Sequence, residues 1–161
     1  MTNREFFIQR WEQEYPAFVR VFKALPAERL DYRPHPRSRS AAELVWVLVY
    51  EGKVCSELID TGQIDWRETA PPQSLNQMIA AYETHHTELA ARLKQLNDAA
   101  WERKGRFIED GHLVMEAPIG EILWLLLFDA VHHRGQLSTY IRPMGGKVPS
   151  IYGPSADESG G

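Results

Sequence analysis

Apolar residues recur every three to four positions in four long stretches of the chain, and polar residues fill the positions between them. This spacing places the apolar side chains on one face of an α-helix, because consecutive helical residues turn by about 100°. The pattern predicts four helices of about 20 residues each. They span roughly residues 3–24, 40–60, 74–97 and 118–142.

Hydroxyl residues stand at the expected starts of three of these helices. Thr2, Ser40 and Ser74 are each followed three residues later by Glu or Gln. This is the spacing of a capping box, in which the two side chains bond to free backbone amides at the helix start. Pro118 suits the first turn of the fourth helix, because its φ is fixed at a helical value and that turn needs no N–H donor.

Prolines and other turn residues fill the segments between the helices. Between the third and fourth helices, the stretch RFIEDGHLVME alternates around Asp110-Gly111, which predicts a small β-hairpin with a tight turn. The expected fold is therefore all-α: a four-helix bundle with a small β-hairpin between helices three and four. Residues 1–154 form this domain, and we expect residues 155–161 to be a mobile tail.

Composition restricts the class of protein further. The chain of 161 residues is long enough for one domain with a core. Its formal net charge of -4, with acids and bases interspersed, leaves no basic stripe for a nucleic-acid backbone. The longest apolar run, ILWLLLF, is shorter than the ~20 residues of a bilayer span, and the single Cys55 excludes an intrachain disulfide. We expect a cytoplasmic protein with no nucleic-acid or membrane partner.

Three titratable residues fall inside apolar helix faces. Asp129 and His133 are four residues apart on the fourth helix and share its apolar face, whereas His132 lies off that face. Glu51 lies in the middle of the apolar face of the second helix. An ionised carboxylate in a core costs several kcal/mol unless it is paired or bound to a metal. One interpretation is that Glu51, Asp129 and His133 converge on a divalent ion; the other is a buried, hydrogen-bonded Asp129–His133 pair.

Other polar residues on apolar faces have simpler interpretations. His86 lies centrally on the third helix and is interpreted as a structural core histidine. Glu14, on the first helix, is expected near a helix end and in contact with water. Cys55 falls on the apolar face of the second helix, where a buried thiol is usually unreactive. The sequence therefore identifies no nucleophile.

Two segments of the chain resemble a known family. LPAERLDYRPHPRSRSAAELVWVLVYE and HHRGQLSTYIRPMGGKVPSIYGPSADE, with nearly the whole chain around them, are similar to the DinB family, the DinB/YfiT-like metalloenzyme superfamily. The resemblance implies a four-helix bundle of unusual connectivity, a homodimer and a divalent metal such as nickel or zinc. It also implies a small-molecule substrate, because relatives include transferases that use mycothiol or bacillithiol and maleylpyruvate isomerase-like enzymes.

The family's metal is typically held by three histidines, one on the second helix and an H-x-x-x-H pair on the fourth. Matched by position, these ligands fall on Val47, Asp129 and His133, so only one of the three is a histidine here. Valine cannot bind a metal, but Glu51 lies one turn further along the same face and would complete a Glu/Asp/His site. Such an oxygen-rich set favours manganese, iron, magnesium or zinc over a softer ion. Nickel is the other metal that the resemblance implies.

Two functions remain open at this point. The first is a DinB-like protein with an altered metal site that binds metal weakly or not at all, with no assigned reaction. The sequence favours it, because two ligand positions have changed. The second is a divalent-metal-dependent transferase or hydrolase that acts on a small molecule, with a thiol co-substrate as in some relatives. No feature of the sequence names the substrate.

Overall fold

The computed structural model, which describes residues 1–160, is mostly helical and contains a small three-stranded sheet. Its helices are α1 (Asn3–Ala24), α2 (Ala41–Thr61), α3 (Leu75–Gln95), the short α4 (Asp98–Trp101) and α5 (Ile119–Tyr140). The strands are β1 (Gln63–Trp66), β2 (Lys104–Glu109) and β3 (His112–Pro118). Each long helix begins and ends within two residues of its predicted bounds. Within residues 1–160, no helix is long and apolar enough to cross a bilayer.

The predicted start signals form hydrogen bonds at the helix termini. The Thr2 hydroxyl accepts from the Glu5 amide at 3.2 Å, and the Glu5 carboxylate accepts from the Thr2 amide at 2.8 Å. Ser40 and Glu43 form the same reciprocal pair at the start of α2. At the start of α3, the serine side chain accepts one such bond. These contacts satisfy amides that have no partner inside the helix.

The sheet contains one strand more than the sequence indicated. β2 and β3 pair antiparallel, and Asp110 and Gly111 between them both have positive φ, 48° and 79°. Positive φ at both central residues is typical of a two-residue hairpin turn. β1 pairs with β2 in parallel, in a segment where the sequence indicated only turn residues, and it buries Ile64 and Trp66. A strand of four residues carries too short an alternation to be predicted.

The apolar helix faces form two buried clusters. One lies among α1, α2, α3 and the C-terminal end of α5 and includes Phe22 and Leu137. The other lies towards the sheet and includes Phe7, Leu58 and Ile122. α2 packs mainly against α3 and α5, and α1 also packs mainly against α3 and α5. The inner faces of α2 and α5 therefore meet along the core.

A buried ion pair joins α1 to α5. Arg134, 1% exposed, donates to the Glu14 carboxylate at 2.7 Å, and the Tyr152 hydroxyl donates to the same carboxylate at 2.8 Å. The guanidinium also lies 4.5 Å from the centroid of the Phe18 ring. The prediction that Glu14 lies near a helix end in water is wrong: it lies in the middle of α1 and is 6% exposed. Its partner is 120 residues away in the chain, so the pattern of α1 alone gives no sign of it.

The last described residues are hydrogen-bonded to the segment that follows α5. The Asp157 carboxylate accepts from the Val148 amide at 2.9 Å and from the Arg142 guanidinium at 2.8 Å. The Ser155 hydroxyl donates to the Val148 carbonyl at 2.6 Å. The mobility expected from residue 155 onward stays a prediction, but residues 155 and 157 have defined partners.

Candidate metal centre

The Glu51 side chain is buried in the middle of α2 without a hydrogen-bonding partner. It is 3% exposed, and neither carboxylate oxygen lies within hydrogen-bonding distance of a donor among residues 1–160. Burial raises the pKa of Glu51 well above its usual range, and the nearby Asp129 carboxylate raises it further. An orphaned carboxylate of this kind costs several kcal/mol unless a proton or a cation compensates for it.

Asp129 and His133 lie one helical turn apart on α5. Asp129 Oδ2 is 3.3 Å from His133 Nε2, and His133 Nδ1 is 2.8 Å from Gln136 Oε1. When Gln136 accepts from Nδ1–H, the neutral imidazole carries its free lone pair on Nε2, which faces Asp129. The Asp129 side chain is 48% exposed and that of His133 is 19% exposed. The pair therefore lies at the edge of the core, where solutes can reach it.

The charges of this pair depend on the protonation of His133. Hydrogen bonding to His133 lowers the pKa of Asp129 below its usual value, and the bond to Asp129 raises the pKa of His133. When His133 is neutral, its Nε2 lone pair and the two carboxylates are all acceptors, with no donor between them. A group of acceptors that face one another suits a cation.

One donor atom from each of Glu51, Asp129 and His133 lies within 4.8 Å of the other two. Atoms that share one ion with bonds of about 2.1 Å lie ~3–4 Å apart, so small side-chain rotations would bring all three to bonding distance. Two carboxylate oxygens and an imidazole nitrogen match the preferences of zinc, manganese and iron(II). The residues therefore fit the divalent metal that the resemblance implies. The structure brings the three predicted ligands together, and their metal-binding role stays a prediction.

Val47 occupies the remaining ligand position that the resemblance indicates. It is 8% exposed, lies one turn before Glu51 on α2 and lines the same groove as the three donors. Its side chain has no donor atom. Glu51 is therefore the residue by which α2 contributes to the donor set.

All three donor residues line an open groove, and Glu51 also lines a smaller cavity. The groove, about 470 Å³, runs beside α2, α5 and the sheet, and Trp66, Phe107 and Leu126 are among its apolar walls. Glu51 also lines a cavity of about 50 Å³ between the four long helices, which is large enough for water. Asp129 lines the groove, so a solute reaches the donors from that side.

Other titratable residues near these cavities have structural surroundings. His86 stacks between Trp11 and Tyr15, with ring centroids 4.1 and 3.7 Å away, and burial lowers the pKa of His86 to about 4. Burial raises the pKa of the Cys55 thiol, which keeps it protonated and unreactive. His132 is exposed on α5 and is not part of the donor cluster.

Two residues that shape this region were missed by sequence reasoning. Gln136 follows His133 by three residues, a spacing at which helical side chains meet, so it could have been found. Arg134 could not, because a long cation beside an apolar run usually keeps its charged end in water. Its burial depends on Glu14, which belongs to another helix.

Comparison with known proteins identifies the family of helical proteins to which this chain belongs. The DinB family model matches residues 1–160. The chain therefore belongs to the DinB family. The protein YrdA of Bacillus subtilis (strain 168) is 26% identical over 156 residues, which cover 96% of this chain and 90% of YrdA.

Solved structures share the fold. A DinB-like protein from Bacillus cereus ATCC 10987 matches with a TM-score of 0.75 and 24% identity, over 92% of this chain and 97% of that one. YfiT from Bacillus subtilis, described as a probable metal-dependent hydrolase with an unusual four-helix bundle topology, matches with a TM-score of 0.67 and 16% identity, over 89% of each chain. At these identities the likeness is one of fold.

Proposed function

We propose that the protein is a divalent-metal-binding member of the DinB family that hydrolyses a small molecule in the groove beside α2, α5 and the sheet. The observation that carries this proposal is the buried Glu51 carboxylate, which has no hydrogen-bonding partner and lies within 4.8 Å of donors from Asp129 and His133. A cation would compensate a charge that no protein donor compensates. The description of YfiT as a probable metal-dependent hydrolase supports the reaction class.

The residues of the groove have distinct roles in this proposal. Glu51, Asp129 and His133 would hold the ion, which supplies Lewis acidity that polarises a carbonyl or phosphoryl group and lowers the pKa of water. Gln136 holds His133 in the tautomer whose Nε2 faces the other two donors. Trp66 and the other apolar walls lie beside the three donors and would contact the apolar part of a small molecule.

A metal-free protein is the second candidate, and it uses the same residues differently. The raised pKa of Glu51 widens the pH range over which this residue keeps its proton. A protonated Glu51 would donate to the nearby Asp129 carboxylate, and the cluster would then be a hydrogen-bonded core network. The groove would bind a ligand without catalysing a reaction. This candidate corresponds to the weakly binding or metal-free protein that the sequence favours.

Titration of tag-free protein with Mn²⁺ or Zn²⁺ in a calorimeter distinguishes the two candidates. We expect one ion per chain. Glu51→Gln, Asp129→Asn and His133→Gln should each weaken binding by at least about tenfold, because each removes a ligand atom or its charge. His132→Gln is the matched control, because this neighbouring histidine is exposed and outside the donor cluster. Its affinity should equal that of the parent.

Two results would count against the metal centre. One is a parent protein that binds none of manganese, iron, nickel and zinc, which would leave the metal-free candidate. The other is equal loss of affinity in His132→Gln and His133→Gln, which would place the ion elsewhere on α5. Thermal unfolding of every variant checks that the fold is retained.

A further inference from the structure

Arg39 lies where three surface grooves meet. It precedes the Ser40 cap of α2 and lines the groove that contains the three donors, a second groove of about 420 Å³ and a third of about 740 Å³. Among the described residues that line the donor groove, Arg39 is the one lysine or arginine. A molecule that reaches Glu51 and Asp129 from the neighbouring grooves passes its side chain.

The Arg39 side chain is held in place by a partner that can be exchanged. The Tyr140 hydroxyl donates to the Arg39 carbonyl at 3.0 Å, which fixes the backbone against the end of α5. The guanidinium pairs with Glu68, in the segment between β1 and α3, and the two side chains are 40% and 53% exposed. Ion pairs this exposed contribute little to stability. Another carboxylate can therefore take the place of Glu68 at small cost.

Aromatic side chains form the wall next to Arg39. Trp66 lines both the donor groove and the second groove, with the Tyr50 ring edge-on at 4.9 Å and the Phe107 ring nearly parallel at 6.2 Å. Trp46 lies on the wall of the second groove. A flat apolar wall beside a guanidinium suits a molecule that has one anionic group and a flat apolar body.

We propose that Arg39 binds the carboxylate of a small organic acid with an aromatic body, displacing Glu68, and so places that acid beside the donor cluster. This inference deepens the proposed function. It rests on that function only for the reaction, because binding of the acid needs only Arg39 and the groove walls. A carboxylate that enters this groove needs a cationic partner. Glu109 and Asp129 on the groove wall repel an anion, and the Arg39 guanidinium offsets this repulsion with two parallel hydrogen bonds.

Calorimetric titration of the metal-free protein with phenylacetate tests the assignment. We expect saturable binding that is weakened at least about tenfold in Arg39→Gln, because charge-assisted hydrogen bonds are lost. Glu68→Gln should tighten binding about two- to fivefold, because the competing carboxylate is gone. Phenylacetamide, a neutral amide of the same shape, should bind at least about tenfold more weakly than the acid.

Arg33→Gln is the matched control. The Arg33 side chain is also 40% exposed and pairs with a glutamate, Glu43, but it does not line the donor groove. Equal losses in the two arginine variants would show a general charge effect and overturn the inference. Unchanged binding in Arg39→Gln, or no binding of the acid by the parent protein, would also overturn it.

The same titration in the presence of manganese separates this inference from the proposed function. Binding that is lost in Arg39→Gln both with and without manganese supports the role of Arg39, whatever the donor cluster binds. Binding that requires manganese and survives Arg39→Gln would place the carboxylate on the metal. That result overturns the inference while it supports the metal centre.

Discussion

Glu51 links the stability of the protein to pH, because its pKa differs between the folded and the unfolded chain. Burial raises the folded-state pKa well above the ordinary value of 4.5. Between these two values the folded protein keeps a proton that the unfolded chain has lost. This contribution therefore favours the folded state at low pH and is lost as pH rises towards the folded-state pKa. A cation bound at the cluster would replace the proton and reduce the loss.

Glu51→Gln should stabilise the metal-free protein at about pH 8 by about 1–3 kcal/mol, because folding at that pH forces Glu51 to bury a charge or take up a proton, whereas a glutamine does neither and provides an amide that can donate to Asp129. Urea titrations in the presence of a chelator give the free energy of unfolding at about pH 5 and pH 8. The difference in free energy of unfolding between the variant and the parent protein should grow with pH. Glu57→Gln, at a 40% exposed glutamate of the same helix, is the control. A variant less stable than the parent at both pH values would contradict the expectation.

Helical geometry made part of the candidate site predictable from the sequence. The periodicity of α5 put Asp129 and His133 on one inward face, that of α2 put Glu51 on another, and the structure brings their donor atoms together. Periodicity gives the direction of a side chain from its own helix axis and not its distance from other helices. The pairing of Glu14 with Arg134 depends on that distance. Long polar side chains are therefore the least predictable part of this core.

At the scale of single elements, α5 contains two glycines in very different surroundings. A Cβ atom added at Gly120 would lie 2.0 Å from the Trp101 ring, whereas one added at Gly135 would meet no atom within 4 Å apart from its chain neighbours and the surrounding helix backbone. The first glycine allows the start of α5 to pack directly on the aromatic ring of α4. The second has no contact that requires it.

Alanine at these two positions should change stability in opposite directions. Gly120→Ala should lower the free energy of unfolding by about 1–3 kcal/mol, because the added methyl group overpacks the contact with Trp101. Gly135→Ala should raise it by about 0.5–1 kcal/mol, because alanine favours the helix more than glycine does. Each variant is the control of the other in urea unfolding. If Gly120→Ala left the free energy of unfolding unchanged, the Trp101 ring would have to move aside freely.

The length of the hydrophobic pattern explains which elements were predictable. The long helices repeat their apolar face over several turns, and their caps mark where they begin, so their bounds were predicted within two residues. β1 has only Ile64 and Trp66 as inward residues, and it is a strand because it pairs with β2, much later in the chain. α4 is a single turn. Elements this short depend on their neighbours more than on their own sequence.

At the scale of the whole molecule, apolar side chains form an exposed patch at the N-terminal half of α5. Leu125, Phe128 and Val114 are 49%, 64% and 59% exposed, and Trp124 stacks on Phe128 with ring centroids 5.5 Å apart. Phe6 of α1 extends the patch beside Trp124. Contiguous exposed patches of this kind mark interaction sites. We propose that a second copy of the chain covers it, which gives the homodimer that the resemblance implies.

Phe128→Glu should convert this dimer to a monomer, because a charge at the centre of an apolar interface is desolvated without a partner. Size-exclusion chromatography with light scattering measures the mass, and circular dichroism checks that the helices remain. Leu113→Glu changes a side chain of similar exposure, 53%, on the strand β3, and it should leave the dimer intact. If the protein without a substitution is a monomer, this interface is ruled out.

The ion pair between Arg134 and Glu14 also bears on how the chain reaches its fold during synthesis. The two residues are 120 positions apart, and the Tyr152 hydroxyl that completes the cluster is 138 positions from Glu14. α1 leaves the ribosome before α3 and α5, against which it mainly packs. The apolar face of α1 is therefore uncovered until those two helices have been synthesised. Chains that stop before α5 should be better substrates for chaperones and proteases than chains that contain it.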